Sequence, residues 1–318
     1  MNGRTIPVVD ISRLDGAGRD GLAHEVDEAC REVGFLQVVG HGIDVTLLDE
    51  VYRTSADLWA LPSEVKEQIR DPHDHRFYGW LSIEDTEGRP LLERWQINRF
   101  ESPEDAVAQD VPAELAAGLL GVNSWPAQLP RFNALAAEAF AEMRGLGARV
   151  MQAFALALGL PAGFFDPYYR ADSSGFSVNR YANTTGLDVG ETALFEHTDS
   201  GTCTLLHQRG DYEGLEVLLR SGDRVRVPVV PDAIVVNIGD LMARWTNDRW
   251  LATTHRVIVG EPGRSRMSLT TFYTPNIDAV VAPIATCVPP SGPAYEPMSV
   301  YDWQQIYLAA LYEDTSTR

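Results

Sequence analysis

From about Phe176 the chain changes its hydrophobic period. Short β-branched runs at 176–181, 202–208, 215–219, 224–230, 233–238, 253–259 and 267–273 follow one another. Turn residues separate them at Gly210-Asp211, Ser221-Gly222-Asp223, Pro231-Asp232, Gly239-Asp240 and Pro262-Gly263. Closely spaced short strands without intervening helices predict a sandwich, jelly roll or barrel, not a parallel sheet built from βαβ units.

The first 170 residues read as mainly helical with one early strand pair, 6–11 and 35–39. Helices are expected over 21–33 and 45–61, and the longest over 130–158. There apolar residues recur at i, i+3, i+4 spacing between Pro130 and the Gly159/Pro161 stop. A last amphipathic stretch, 300–312, is expected to pack back on the body. The expected division is 1–120 for an N-terminal helix-and-strand region, 121–171 for scaffold helices, 172–285 for the β-rich catalytic part and 286–318 for a C-terminal helical segment. The fold class is mainly β with flanking α.

Composition narrows the chemistry. Of 26 basic residues in the 318, Lys66 is the only lysine, and the formal charge is −19. A Walker-type loop needs Lys before Ser or Thr, but Glu67 follows Lys66. A Schiff-base lysine needs a desolvated pocket, and Lys66 lies among charges. The acidic balance opposes a nucleic-acid surface, whose affinity rests on clustered cations. No apolar run reaches the ~20 residues of a membrane span, and Met1–Pro7 lacks a signal-peptide pattern. Three widely spaced cysteines, Cys30, Cys203 and Cys287, fit reduced thiols. The expectation is a cytoplasmic protein acting on a small molecule, with no nucleic-acid or membrane partner. The sequon Asn183-Thr184-Thr185 is therefore read as unused, and oligomeric state is not legible.

Gly16-Ala17-Gly18-Arg19-Asp20-Gly21 matches GxGxxG. Residues 12–15 separate it from the preceding strand, whereas a dinucleotide site needs the first glycine directly after the strand. It is read as a loop leading into the first helix.

The chemistry concentrates in Phe195-Glu196-His197-Thr198-Asp199-Ser200-Gly201. In an extended segment His197 and Asp199 point the same way, roughly 7 Å apart at Cα. His255, 56 residues after Asp199, offers a third ligand. Two His and one carboxylate on one face of a metal leave its other positions open, as in non-haem Fe(II) oxygenases. On a strand 11 residues later, Arg266 and Ser268 share a face, giving a guanidinium fork and a hydroxyl for a carboxylate. Asn179 and Tyr181 share a face of their own strand as further carboxylate donors, or as a buried strand with a satisfied phenol.

With these residues in place the chain resembles the isopenicillin N synthase-like family of non-haem Fe(II)/2-oxoglutarate-dependent dioxygenases. The resemblance is carried by Ile6-Pro7-Val8-Val9-Asp10, the 34–43 segment, Trp125-Pro126, Asn179-Arg180-Tyr181, the 197–202 segment, Gly214–Val217, Val236–Asp240, Thr246-Asn247, His255–Val257 and Arg266–Ser268. It implies a double-stranded β-helix (a cupin-like jelly roll) with iron on His197, Asp199 and His255. It also implies that Arg266 and Ser268, helped by Asn179 and Tyr181, bind the distal carboxylate of 2-oxoglutarate. O₂ would be the second co-substrate, and succinate and CO₂ would accompany hydroxylation, desaturation or ring closure at an unactivated C–H, in specialised metabolism. Ala182 stands where the family usually has Pro. Glu93–Arg99 departs from the pattern of plant members in a region that often touches the prime substrate.

Tyr78, Trp80, Phe195, Trp245 and Phe272 are candidates for an apolar substrate wall, and Arg94, Gln96 and Asn98 for polar contacts. Other readings remain at this point. A relative using the same iron without 2-oxoglutarate would form no succinate. A zinc hydrolase on the same ligands would be oxygen-independent and gives Arg266 and Ser268 no task. A non-catalytic jelly roll would survive loss of His197. Of the other histidines, His41 reads as a structural turn, His73 and His75 as a solvated loop, His24 as a helix position, and His207 as core or pocket wall. Cys203 is read as core.

Overall fold

The computed structural model describes residues 5–70, 78–84, 88, 90–182, 188–210 and 212–316. The sequon at 183–185, His73, His75 and Asp211 lie outside them. The first hundred residues give β1 (Val8–Asp10), α1 (Arg19–Glu32), β2 (Phe35–Val39), α2 (Val45–Trp59), α3 (Ser63–Gln68), β3 (Gly79–Glu84) and β4 (Pro90–Asn98). Then come α4 (Pro103–Ala108), α5 (Ala113–Leu119), the 28-residue α6 (Pro130–Ala157), β5 (Gly175–Ala182), β6 (Thr192–His197), β7 (Cys203–Gly210), β8 (Leu215–Leu218) and β9 (Arg224–Arg226). The chain ends with β10 (Ile234–Ile238), α7 (Asp240–Trp245), β11 (His255–Ile258), β12 (Ser265–Tyr273), β13 (Val280–Val281), β14 (Met298–Ser299) and α8 (Val300–Ser316).

Two sheets form the body. The larger runs β1-β2-β10-β7-β12-β5-β4-β3, and the smaller runs β6-β11-β8-β9. Apart from the parallel β1–β2 pair, neighbouring strands in both are antiparallel. This is the expected jelly roll, and its alternating side chains build two separate cores. One face of the large sheet carries Trp95, Ile97, Phe176, Val178, Leu205, Ile234, Val236 and Leu269, which pack with α1, α2 and α6. The opposite face joins the small sheet through Phe35, Leu92, Tyr181 and Val235 against Leu215, Val217 and Val257.

The long helix α6 follows its sequence pattern: Phe132, Ala136, Phe140, Met143, Leu146, Val150 and Phe154 are all buried. Gly147 brings it close to β12, because a Cβ there would lie 2.7 Å from the Tyr273 ring. In the GxGxxG stretch, Gly18 and Gly21 make room for Arg13. Its side chain lies against Gly18 and Gly21 and ion-pairs with Glu25 at 2.8 Å.

Five strands, β3, β4, β6 and the two-residue β13 and β14, lie where the sequence pattern predicts none. The β3–β4 hairpin lies in the part read as helical: Glu93 interrupts the face otherwise held by Trp95 and Ile97, and Arg94 and Gln96 stand on the inner face. The edge strand β6 is largely exposed or half-buried and carries little hydrophobic pattern. It also ends at His197, so Asp199 sits in the following loop and not on the same strand. That loop is fixed by the backbone: Asp240 N–H donates to Asp199 O at 2.7 Å.

Candidate metal and co-substrate site

His197 ends β6 and His255 begins β11, and the two are register partners in the small sheet. Their ring centroids are 4.3 Å apart. Asp199 reaches between them, with Oδ1 3.7 Å from His197 Nε2 and 3.9 Å from His255 Nε2. One ligand atom from each of the three residues lies within 4.8 Å of the others, the only such cluster of three among the described residues.

The surroundings fix which atoms face the centre. His197 Nδ1 lies 2.7 Å from Phe195 O, and His255 Nδ1 lies 3.1 Å from Thr253 O. A carbonyl only accepts, so each Nδ1 carries the proton and each Nε2 keeps its lone pair, as a metal ligand must. Asp199 Oδ2 accepts from Thr204 Oγ1 at 2.5 Å and from Asn237 Nδ2 at 2.7 Å, leaving Oδ1 for the centre. Burial, reinforced by neighbouring His255, holds the His197 pKa below its ordinary value. Burial pushes the Asp199 carboxyl up, but His255, His197 and the bonds from Asn237 and Thr204 outweigh it and bring it below the ordinary value. The donor set is therefore two imidazole Nε2 atoms facing the centre and one carboxylate oxygen. This donor set suits a divalent first-row ion and leaves further coordination positions free.

The second cluster lies on the inner face of the large sheet. Register pairs Arg266 with Tyr181 and Ser268 with Asn179, so all four side chains share one face. Arg266 is 1% exposed, and its guanidinium lies 5.0 Å from the Tyr181 ring centre. Among the described residues its guanidinium makes one long hydrogen bond, from Nη2 to Gln208 Oε1 at 3.4 Å, and Nε and Nη1 are buried without a partner. A buried cation with unpaired donors is costly unless an anion completes it. A carboxylate of a bound acid fits that need, with Ser268 beside it.

Asn179 behaves differently from expectation. Its Nδ2 is shared among Ser177, Ser268 and Thr270 hydroxyls at 3.1–3.3 Å, and its Oδ1 accepts from Arg94 Nε at 2.8 Å. Its amide is committed to the scaffold, not free for a ligand.

The substrate-wall candidates divide. Arg94, Gln96 and Phe272 lie on the inner face, beside Asn179, Ser177 and Thr204 respectively. Phe195 is 54% exposed on β6, two residues before His197. Trp245 is buried against Phe165 and Tyr168 in the helix-side core, so it is not a pocket wall. Trp80 pairs with Trp95 on that same side, and Tyr78 packs over Gly121. Asn98 spends its amide on Ser173 O and Phe100 N at the strand end. His207 and Cys203 are core: His207 bonds Tyr52 at 3.0 Å, and Cys203 is fully buried. His41 is a turn residue, held by Asp232 O and Ile43 N.

Residue-type reasoning missed Thr204, Asn237 and Gln208. Asn237 had a signal, a lone amide inside the apolar run Ile234–Ile238. The helix α8 was expected to pack on the body, and Trp303 ties it to the triad loop by donating to Ser200 O at 2.9 Å. Two further groups beside the triad respond to enclosure. Burial pushes the Tyr307 phenol up to about 12 and the Asp240 carboxyl up to about 6.

Comparison with known proteins agrees with this geometry. Residues 6–128 match the N-terminal family described as non-haem dioxygenase in morphine synthesis, and residues 171–275 match the 2OG-Fe(II) oxygenase superfamily. The chain is 31% identical to homoarginine-6-hydroxylase 2-ODD-233 of Oryza sativa subsp. japonica, covering 89% of this chain and 90% of the relative. It is 32% identical to validamycin A dioxygenase of Streptomyces hygroscopicus subsp. limoneus, covering 89% and 80%. A full-length Neurospora crassa protein solved in complex with alpha-KG superposes with a TM-score of 0.82 at 26% identity, over 97% of each chain. The chain belongs to the 2OG-Fe(II) oxygenase superfamily and is an Fe(II)- and 2-oxoglutarate-dependent oxygenase.

Proposed function

We propose that His197, Asp199 and His255 hold the Fe(II), and that Arg266, Ser268 and Tyr181 receive the distal carboxylate of 2-oxoglutarate. The observation that carries this reading is the buried Arg266 guanidinium with Nε and Nη1 unpartnered, inside the same barrel as the three converging ligand atoms. When bound, Fe(II) and 2-oxoglutarate supply, with O₂, the oxidising power that attacks an unactivated C–H, with release of succinate and CO₂.

The protein's part is positioning. Thr204 and Asn237 fix the rotation of Asp199, and the Phe195 and Thr253 carbonyls fix both imidazoles. Arg266 sets the far end of the co-substrate, and Tyr181 covers the guanidinium face. Asn179 holds Ser268 and Arg94 in place. Gln96, Phe195 and Phe272 are the remaining inner-face or rim positions from which a small-molecule substrate would be touched.

The test is succinate formed from 2-oxoglutarate under air, with wild type, His255→Ala and Arg266→Gln compared at equal iron. Both variants are expected to lose about 100-fold or more of the rate. Undiminished succinate formation by either one would remove that residue from the site. We also infer a cytoplasmic setting, supported by three free cysteines, Cys30, Cys203 and Cys287. A role in specialised metabolism is supported by relatives named for single small molecules, homoarginine and validamycin A.

A further inference from the structure

Arg94 is a second cation inside the barrel, and the co-substrate reading leaves it without a task. On β4 it stands opposite Asn179, which in turn stands opposite Ser268, so three adjacent strands place Arg94, Asn179 and Ser268 in one row. Its Nε is fixed on Asn179 Oδ1 at 2.8 Å. Among the described residues, no acceptor is hydrogen-bonded to Nη1 or Nη2. The adjacent acid cannot help: Glu93 points to the opposite face, where it binds Lys66 at 2.8 Å and Arg180 at 3.2 Å. Burial lowers the guanidinium pKa, and the acid nearest in influence is Asp199, with the phenols of Tyr181 and Tyr307 beside it.

We propose that Arg94 anchors a carboxylate of the prime substrate, gripping it end-on through Nη1 and Nη2. The inference rests on the co-substrate reading above. A 2-oxoglutarate held at Arg266 and directed to the triad has both of its carboxylates in use, so a third anionic station belongs to the substrate. One guanidinium with its Nε already engaged offers one positive charge and one two-pronged edge, which matches a carboxylate. The pinning by Asn179 fixes the direction of that edge, so Arg94 selects substrates by charge and sets which C–H is presented.

The test is calorimetric and needs no turnover. Octanoate, phenylacetate, cinnamate and L-leucine are each titrated beside their own primary amides, under argon, into Fe(II)-loaded protein saturated with 2-oxoglutarate. For at least one pair the acid is expected to bind about tenfold or more tighter than the amide. Arg94→Gln should erase that ratio while 2-oxoglutarate affinity stays within about threefold of wild type, and Arg94→Lys should keep part of the ratio. The proposal is overturned if no acid is preferred over its amide in wild type, or if the ratio survives in Arg94→Gln. It is also overturned if Arg94→Gln weakens 2-oxoglutarate binding about tenfold or more, which would assign Arg94 to the co-substrate. Failure of the co-substrate reading looks different: 2-oxoglutarate would then bind Arg266→Gln as it binds wild type.

Discussion

At the scale of single residues, Asp199 shows how the centre is prepared. One oxygen is tied to Thr204 and Asn237, and the other is left for a metal. Thr204→Val and Asn237→Ala should each lower Fe(II) affinity by about 10- to 100-fold while the fold persists. Anaerobic metal titration reads this, and an unchanged affinity in both would mean the two bonds do not orient the carboxylate. His197 gives a pH prediction. Its folded pKa lies below the ordinary 6.5, so as pH falls through that value the unfolded chain takes up its proton first. The His197 contribution to metal-free stability should therefore shrink on going from pH 7.5 towards 5.5, opposed by Asp240 with its raised pKa. Over that interval the stability of wild type should fall relative to that of His197→Asn. Urea midpoints at the two pH values check the sign. In the sequence, i, i+2 spacing pointed to the Arg266–Ser268 pair and to His197 with Asp199, although Asp199 lies in the loop after β6, and His255 stood out only through the family resemblance. Thr204, Asn237 and Gln208 were not legible, since threonines and amides in strands are ordinary until their partners are seen.

At the scale of elements, close approach between α6 and β12 sets the sheet against its scaffold. Gly147 and Gly145 lie two residues apart on α6 yet should respond oppositely to alanine. At Gly145 a Cβ meets nothing within 4 Å, so Gly145→Ala should stabilise by up to about 1 kcal/mol through helix propensity. At Gly147 it meets the Tyr273 ring, which is stacked on Tyr169 at 4.5 Å and has little room to move. Gly147→Ala should cost about 1–3 kcal/mol. Denaturant melts of the two variants decide it, and equal effects would show that the helix shifts freely. The long helix and β5, β7, β10 and β12 were readable from periodicity. The β3–β4 hairpin was not, because Leu91-Leu92-Glu93 breaks the alternation that Arg94–Asn98 then follows for only five residues.

For the whole molecule, the sequence charge is unevenly used. Residues 1–120 hold 11 basic and 24 acidic side chains, whereas 241–270 holds five arginines against Asp248 and Glu261. The electropositive segment supplies His255, Arg266 and Ser268. Of those five arginines Arg266 is the buried one, whereas Arg249 and Arg256 pair with Asp27 and Glu216, and the other interior cation, Arg94, comes from the acidic part of the chain. The jelly roll separates two cores: helices cover one face of the large sheet, and the other face is enclosed by the small sheet. Ligand occupancy should then stabilise the whole barrel by mass action.

The most direct measurement of the central claim is 2-oxoglutarate titrated under argon into Fe(II)-loaded wild type and Arg266→Gln, followed by calorimetry. One site per chain is predicted in wild type, with affinity reduced about 100-fold or more in the variant, in line with a lost bidentate charge-assisted contact. Equal affinity in the two proteins would contradict the account.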